Sequence, residues 1–80
     1  MTDAMIQNAI ASSVVGLKRH VMEKYGKSDA EAYRMVYDSE LFKLLSDAHT
    51  RLFLSTNREL CACLDAEMER GLPALYELLA

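Results

Sequence analysis

Apolar residues in the first third of the chain recur every three or four positions: Ile6, Ile10, Val14, Leu17, Val21 and Tyr25. That spacing predicts one face of a six-turn helix. Asp3 is a good N-cap residue for it, and Gly26 suits the position after its last turn, which carries Lys24. The pattern restarts at Ser28-Asp29-Ala30-Glu31, a capping box in which the Ser28 hydroxyl and the Glu31 side chain satisfy each other's backbone N–H. Ala32, Tyr33, Val36 and Tyr37 then form the apolar face of a second helix. Asp38-Ser39 offers another cap and predicts a short third helix from Glu40 to about Ser46. Leu41, Phe42, Leu44 and Leu45 make it core on most sides. No Gly or Pro separates the second and third helices, so the pattern also allows one kinked helix.

Asp47-Ala48-His49-Thr50 reads as a turn. Leu52 to Leu54 is too short to assign to helix or extended segment, and it is the one strand signal in the chain. Ser55 is the N-cap candidate for a fourth helix from about Thr56 to Arg70, with Leu60, Cys61, Leu64 and Met68 on one face. Gly71 ends that helix, and Pro73 suits the first turn of a last short one reaching Leu79. The expectation is an all-α fold: a compact bundle of four to five helices in a single domain spanning residues 1–80.

Eighty residues leave room for one domain. Folding a chain of 9.0 kDa buries roughly 60–65% of its unfolded surface. Such a core is modest, and small domains often add a disulfide, a metal or a second subunit. Cys61 and Cys63 point about 200° apart on a helix. They read as two free thiols in a reducing compartment, Cys61 buried on the apolar face and Cys63 accessible on its flank. With no metal or cofactor site expected, a homodimer becomes the favoured supplement.

The net charge of −3 and the scattered basic residues argue against nucleic acid, whose binders usually carry a basic stripe. Asp3 and Gln7 interrupt the start of the chain, so no signal peptide is read there. The apolar runs fall far short of the ~20 residues of a membrane span. A cytoplasmic location is expected.

Chemistry-bearing constellations are sparse. His20 and His49 are the only histidines. Neither belongs to the close-spaced ligand pairs that structural zinc requires. No glycine-rich phosphate loop is present, and Ser12 and Ser13 have no His nearby in sequence. Asp65, Glu67 and Glu69 read as a solvated face. Their place at a helix C-terminus opposes the macrodipole, which points to a basic partner. A small enzyme or metal-binding protein using His49 and Asp47 is the alternative reading.

Two features suggest protein contacts instead. Ala9, Ser12 or Ser13, and Gly16 form a small-residue stripe on the first helix. A helical Gly costs ~1 kcal/mol relative to Ala, so another backbone is expected to approach there, from the same chain or from a second copy. The tail from Leu72 to Ala80 carries five large apolar residues and either covers its own core or docks elsewhere. Ala9, Ser13, Gly16, Leu75, Tyr76 and Leu79 are therefore the candidate interaction residues.

The stretch from Ser28 to about Glu67 resembles a broad group of small bacterial proteins, some encoded beside toxin–antitoxin-like genes. The matching residues are Ala30-Glu31-Ala32, Tyr37-Asp38-Ser39, Leu44-Leu45-Ser46-Asp47, Thr50, Leu52 and Ser55. They cover about half the chain and are mostly caps and core positions. The resemblance implies a compact helical fold, a bacterial cytoplasmic setting and an antitoxin-like role. It carries over no catalytic residue. Arg51 stands where such proteins tend to have Gly, and the tail after Gly71 is extra.

Overall fold

A computed structural model describes residues 2–80. Five α-helices follow in order: α1 (Asp3–Tyr25), α2 (Asp29–Asp38), α3 (Glu40–Ser46), α4 (Asn57–Arg70) and α5 (Leu72–Leu79). Two 3-10 turns, Ala48–Thr50 and Leu52–Leu54, join α3 to α4. The fold is all-α, and the strand signal at Leu52 to Leu54 is helical instead. Among the described residues no helix is long and apolar enough to cross a membrane.

The first four α-helices each start where a side chain accepts an otherwise orphaned N–H, whereas α5 follows Gly71 with no side-chain cap. The Thr2 hydroxyl accepts from Met5 and caps α1, so Asp3 lies inside the first turn rather than at the cap. The Ser28–Glu31 capping box is present in full. Ser39 has extended backbone (φ −73°, ψ 151°), which separates α2 from α3 and settles that they are two helices. Its buried hydroxyl donates to the Val36 carbonyl at 2.6 Å and accepts from the Phe42 N–H at 3.1 Å. The cap of α4 is Thr56, not Ser55. Thr56 and Glu59 form a second capping box, and only Thr56 has the T-x-x-E spacing the box needs.

The solvent-accessible surface is 5166 Å². An unfolded chain of 9.0 kDa exposes about 13,000 Å², so about 60% is buried. Leu17, Val21, Val36, Leu41, Leu45, Leu60, Leu64 and Leu75 are fully buried and form one cluster. Each such side chain stabilises the fold by roughly 1.5–3 kcal/mol.

α4 is the central element and packs against α1, α3 and α5. Its buried surface is wide because neighbours cover it on several sides: Leu60, Cys61, Cys63, Leu64 and Ala66 are all buried. This corrects the expectation for Cys63, which is as buried as Cys61. Cys61 lies in the row of α4 toward α1, and Cys63 is covered from the α5 side.

Candidate functional site

The side of α4 toward α1 is built from two rows of residues spaced by four. Gly16, His20 and Lys24 run along α1; Asn57, Cys61, Asp65 and Glu69 run along α4. The two helices pair in the same direction, with Gly16 at Asn57 and Lys24 at Asp65 and Glu69. A Cβ on Gly16 would run into the Asn57 side chain. The close approach at Gly16 therefore comes from the same chain, and it is made by the Asn57 side chain rather than by the backbone expected there.

Asp65 is the centre of the polar part of this seam. His20 Nε2 lies 2.9 and 3.0 Å from its two oxygens, Lys24 Nζ donates to it at 3.0 Å, and Tyr25 OH donates at 2.9 Å. Glu69 accepts from Lys24 at 3.0 Å and lies 2.7 Å from the same Tyr25 hydroxyl, whose single proton the two carboxylates share. A carboxylate can only accept, so His20 Nε2 carries the proton in this contact. Partial burial pushes the Asp65 carboxyl up, but the hydrogen bonds from Lys24, His20 and Tyr25 together outweigh it and hold it below its ordinary value. Tyr25 and Lys24 likewise hold Glu69 low. Burial, then the two carboxylates, push the Tyr25 phenol far up. Asp65, Glu67 and Glu69 are thus not a plain solvated face. The basic partner that the macrodipole argument calls for is Lys24, with His20 beside it.

Glu67 does something different. Its carboxylate accepts from the backbone N–H of Glu40 at 2.8 Å and of Leu41 at 2.9 Å. It thereby caps α3 from another helix.

Chemically, the α1–α4 cluster pairs its donors with its own acceptors. The neighbouring Cys61 thiol is pushed up by burial and then by the Asp65 charge, the opposite of what a nucleophilic thiol needs. The arrangement is that of a clamp between helices.

His49 and Asp47 are both exposed. The Asp47 carboxylate accepts from the His49 backbone N–H at 3.0 Å and so caps the Ala48–Thr50 turn. Among the described residues no group of three or more His, Cys, Asp or Glu side chains is placed to hold a metal ion.

The opposite side of α4 carries an open concavity. A groove of about 340 Å³ runs between α4, α5 and the Leu52–Leu54 turn. Leu52, Leu60, Ala62, Cys63, Leu78 and Leu79 line it, with Ser55 and Glu59 at its polar edge. A smaller hollow of about 220 Å³ lies on the other flank of α5, against Leu44, Thr50 and Tyr76, and shares Leu52 and Leu79 with the groove. Leu78 of the lining remains 50% exposed, and Leu54 at the end of the turn is 57% exposed. A scan against protein-family models, a search of curated proteins and a search of solved structures each return no match.

The six candidate interaction residues divide between these places. Leu75 is fully buried and anchors α5 to the core, while Leu79 is half-buried against it. The tail therefore covers its own domain. Leu79 and the exposed Tyr76 also line the hollows, and the Tyr76 hydroxyl donates to Glu40 at 3.2 Å. Ser13 is turned back onto its own helix, donating to the Ala9 carbonyl at 3.0 Å. Sequence reasoning missed Leu52, Leu54 and Leu78. The run Leu52-Phe53-Leu54 was the available signal, because three consecutive apolar residues in a short connection cannot all face one core.

Proposed function

We propose that this chain works by binding protein, as a homodimer or as a subunit of a regulatory complex, with an antitoxin-like module as one form of the latter. The observation that carries this reading is the apolar groove between α4, α5 and the Leu52–Leu54 turn, in whose lining Leu78 stays exposed. Exposed leucines around an apolar hollow are a feature of protein-contact surfaces. The groove offers nothing that selects phosphate: its lining is apolar, and its one charged group is the Glu59 carboxylate.

The test is site-specific photo-crosslinking in cells. A photoreactive side chain at position 78 is expected to capture a protein reproducibly. One at Glu23, exposed on α1, is expected to capture none at comparable yield. Equal capture at both positions, or none at 78, refutes the reading.

A further inference from the structure

Two of the four tyrosines in the chain, Tyr33 and Tyr37, lie one helical turn apart on α2 and share a face of it. Their rings stack with centroids 4.6 Å apart and planes 24° from parallel. Their hydroxyl oxygens are only 3.0 Å apart. The separation narrows from ring centre to oxygen, so the two rings converge at their phenolic ends, where the carbons ortho to each hydroxyl lie. Neighbours bracket the pair on both sides. Phe42 of α3 packs edge-on against Tyr37 with centroids 4.5 Å apart, and Lys18 Nζ stands 5.6 Å from the Tyr33 ring centre. Both tyrosines still reach solvent, 41% and 40% exposed.

We propose that Tyr33 and Tyr37 form an oxidative cross-linking site, joined within one chain by a carbon–carbon bond between their ortho carbons when a one-electron oxidant reaches α2. Each phenol gives one electron to the oxidant and its hydroxyl proton to water. The two phenoxyl radicals carry spin on their ortho carbons, and these carbons couple. Each coupled carbon then releases its hydrogen as a proton while its ring regains aromaticity, and a proton returns to each oxygen. The net change is the loss of two electrons, taken by two equivalents of the oxidant, and of two protons, taken by water. Holding the two phenols together replaces a chance encounter between chains by a reaction within one. Other oxidisable groups have no such outlet. The chain has no Trp, and Cys61 and Cys63 are buried. Tyr25 and Tyr76 donate to carboxylates rather than facing a second phenol. The pair shares no residue with the α4–α5 groove, so the site stands whether or not the groove binds protein.

The test is irradiation of the purified full chain at low micromolar concentration with tris(bipyridine)ruthenium(II) and persulfate, which generates ruthenium(III) as the one-electron oxidant. Arg34 lies between the two tyrosines, so trypsin separates residues 28–34 from residues 35–43 in the unmodified chain. After oxidation the two peptides are expected as one species, two hydrogens lighter than their sum, in protein of single-chain mass that shows the blue emission of dityrosine. Tyr33→Phe and Tyr37→Phe should each abolish the joined peptide with helix content unchanged, and Tyr76→Phe should leave its yield unchanged. The urea-unfolded chain should give severalfold less of it, because α2 no longer holds the phenols together. Should a variant unfold, the comparison of folded with urea-unfolded wild type still decides. The proposal is overturned if the folded wild type gives no joined peptide under conditions that couple N-acetyltyrosine, or gives no more than the unfolded chain. Persistence of the joined peptide in either α2 variant overturns it too.

Discussion

Among single residues, Arg51 is the one whose backbone works against its side chain. It lies between the two 3-10 turns with φ 57° and ψ 20°, the only non-glycine at positive φ among the described residues. An L residue there costs about 1–2 kcal/mol. Arg51→Gly removes the strain but adds freedom to the unfolded chain. The net expectation is a gain of about 0.5–1 kcal/mol, read as a higher urea midpoint with unchanged slope. A lower midpoint would mean that the Arg51 side chain stabilises the turn by more than the strain costs. Gly71 is the reverse case. At φ 88° and ψ −176° it occupies a region essentially confined to glycine, and it turns the chain directly from α4 into α5.

At the scale of the element, α3 shows how a helix of seven residues holds together. It is far too short to persist alone, yet its first three N–H groups all have partners. Glu67 takes those of Glu40 and Leu41, and Ser39 takes that of Phe42. Glu67→Ala leaves two helix donors without an acceptor in a partly buried place and is expected to cost about 1–3 kcal/mol. Glu67→Gln should recover part of this, because the amide oxygen still accepts. Denaturation of the three proteins checks it, and an unchanged midpoint in Glu67→Ala would show that water replaces the carboxylate without loss.

The caps also mark where sequence reading succeeds. The Ser28 box is local and legible without any tertiary information, whereas the Asp38-Ser39 cap signal left one kinked helix open until the extended backbone of Ser39 decided it. The Thr56 box was equally local, and the adjacent Ser55 obscured it. Glu67 was not legible, since its partners lie 26 and 27 positions away in sequence. The burial of Cys63 escaped for a related reason. Periodicity reports one apolar face, whereas a central helix with neighbours on several sides buries more than one.

Across the whole molecule, the α1–α4 clamp ties stability to pH. Asp65 and Glu69 are held below their ordinary values in the folded state. So are Glu31 and Glu59, which accept from their own caps. A depressed carboxyl contributes stability above its unfolded value, near pH 4, and loses it as pH falls through the lower folded value. The protein should therefore keep its melting temperature from neutrality to about pH 5 and lose it steeply below pH 4. Asp65→Asn should be less stable at neutral pH and show a shallower acid arm. An acid arm as steep as that of wild type would assign the sensitivity to the capping boxes instead. The helical fold itself could be read from periodicity and caps. The clamp could not, because nothing local indicates which carboxylates of α4 a histidine and a lysine on α1 will meet.

The parallel pairing of α1 with α4 also bears on the order in which the chain assembles. The neighbours α1–α2, α2–α3 and α4–α5 meet across short connections, so their contacts close small loops and form early. The seam between α1 and α4 joins residues 40 to 45 positions apart. It must wait until the entropy of a loop of that size has been overcome. An early amino-terminal unit and an early carboxy-terminal hairpin then lock together through one late docking step. The same seam is the natural first line of separation when the molecule comes apart.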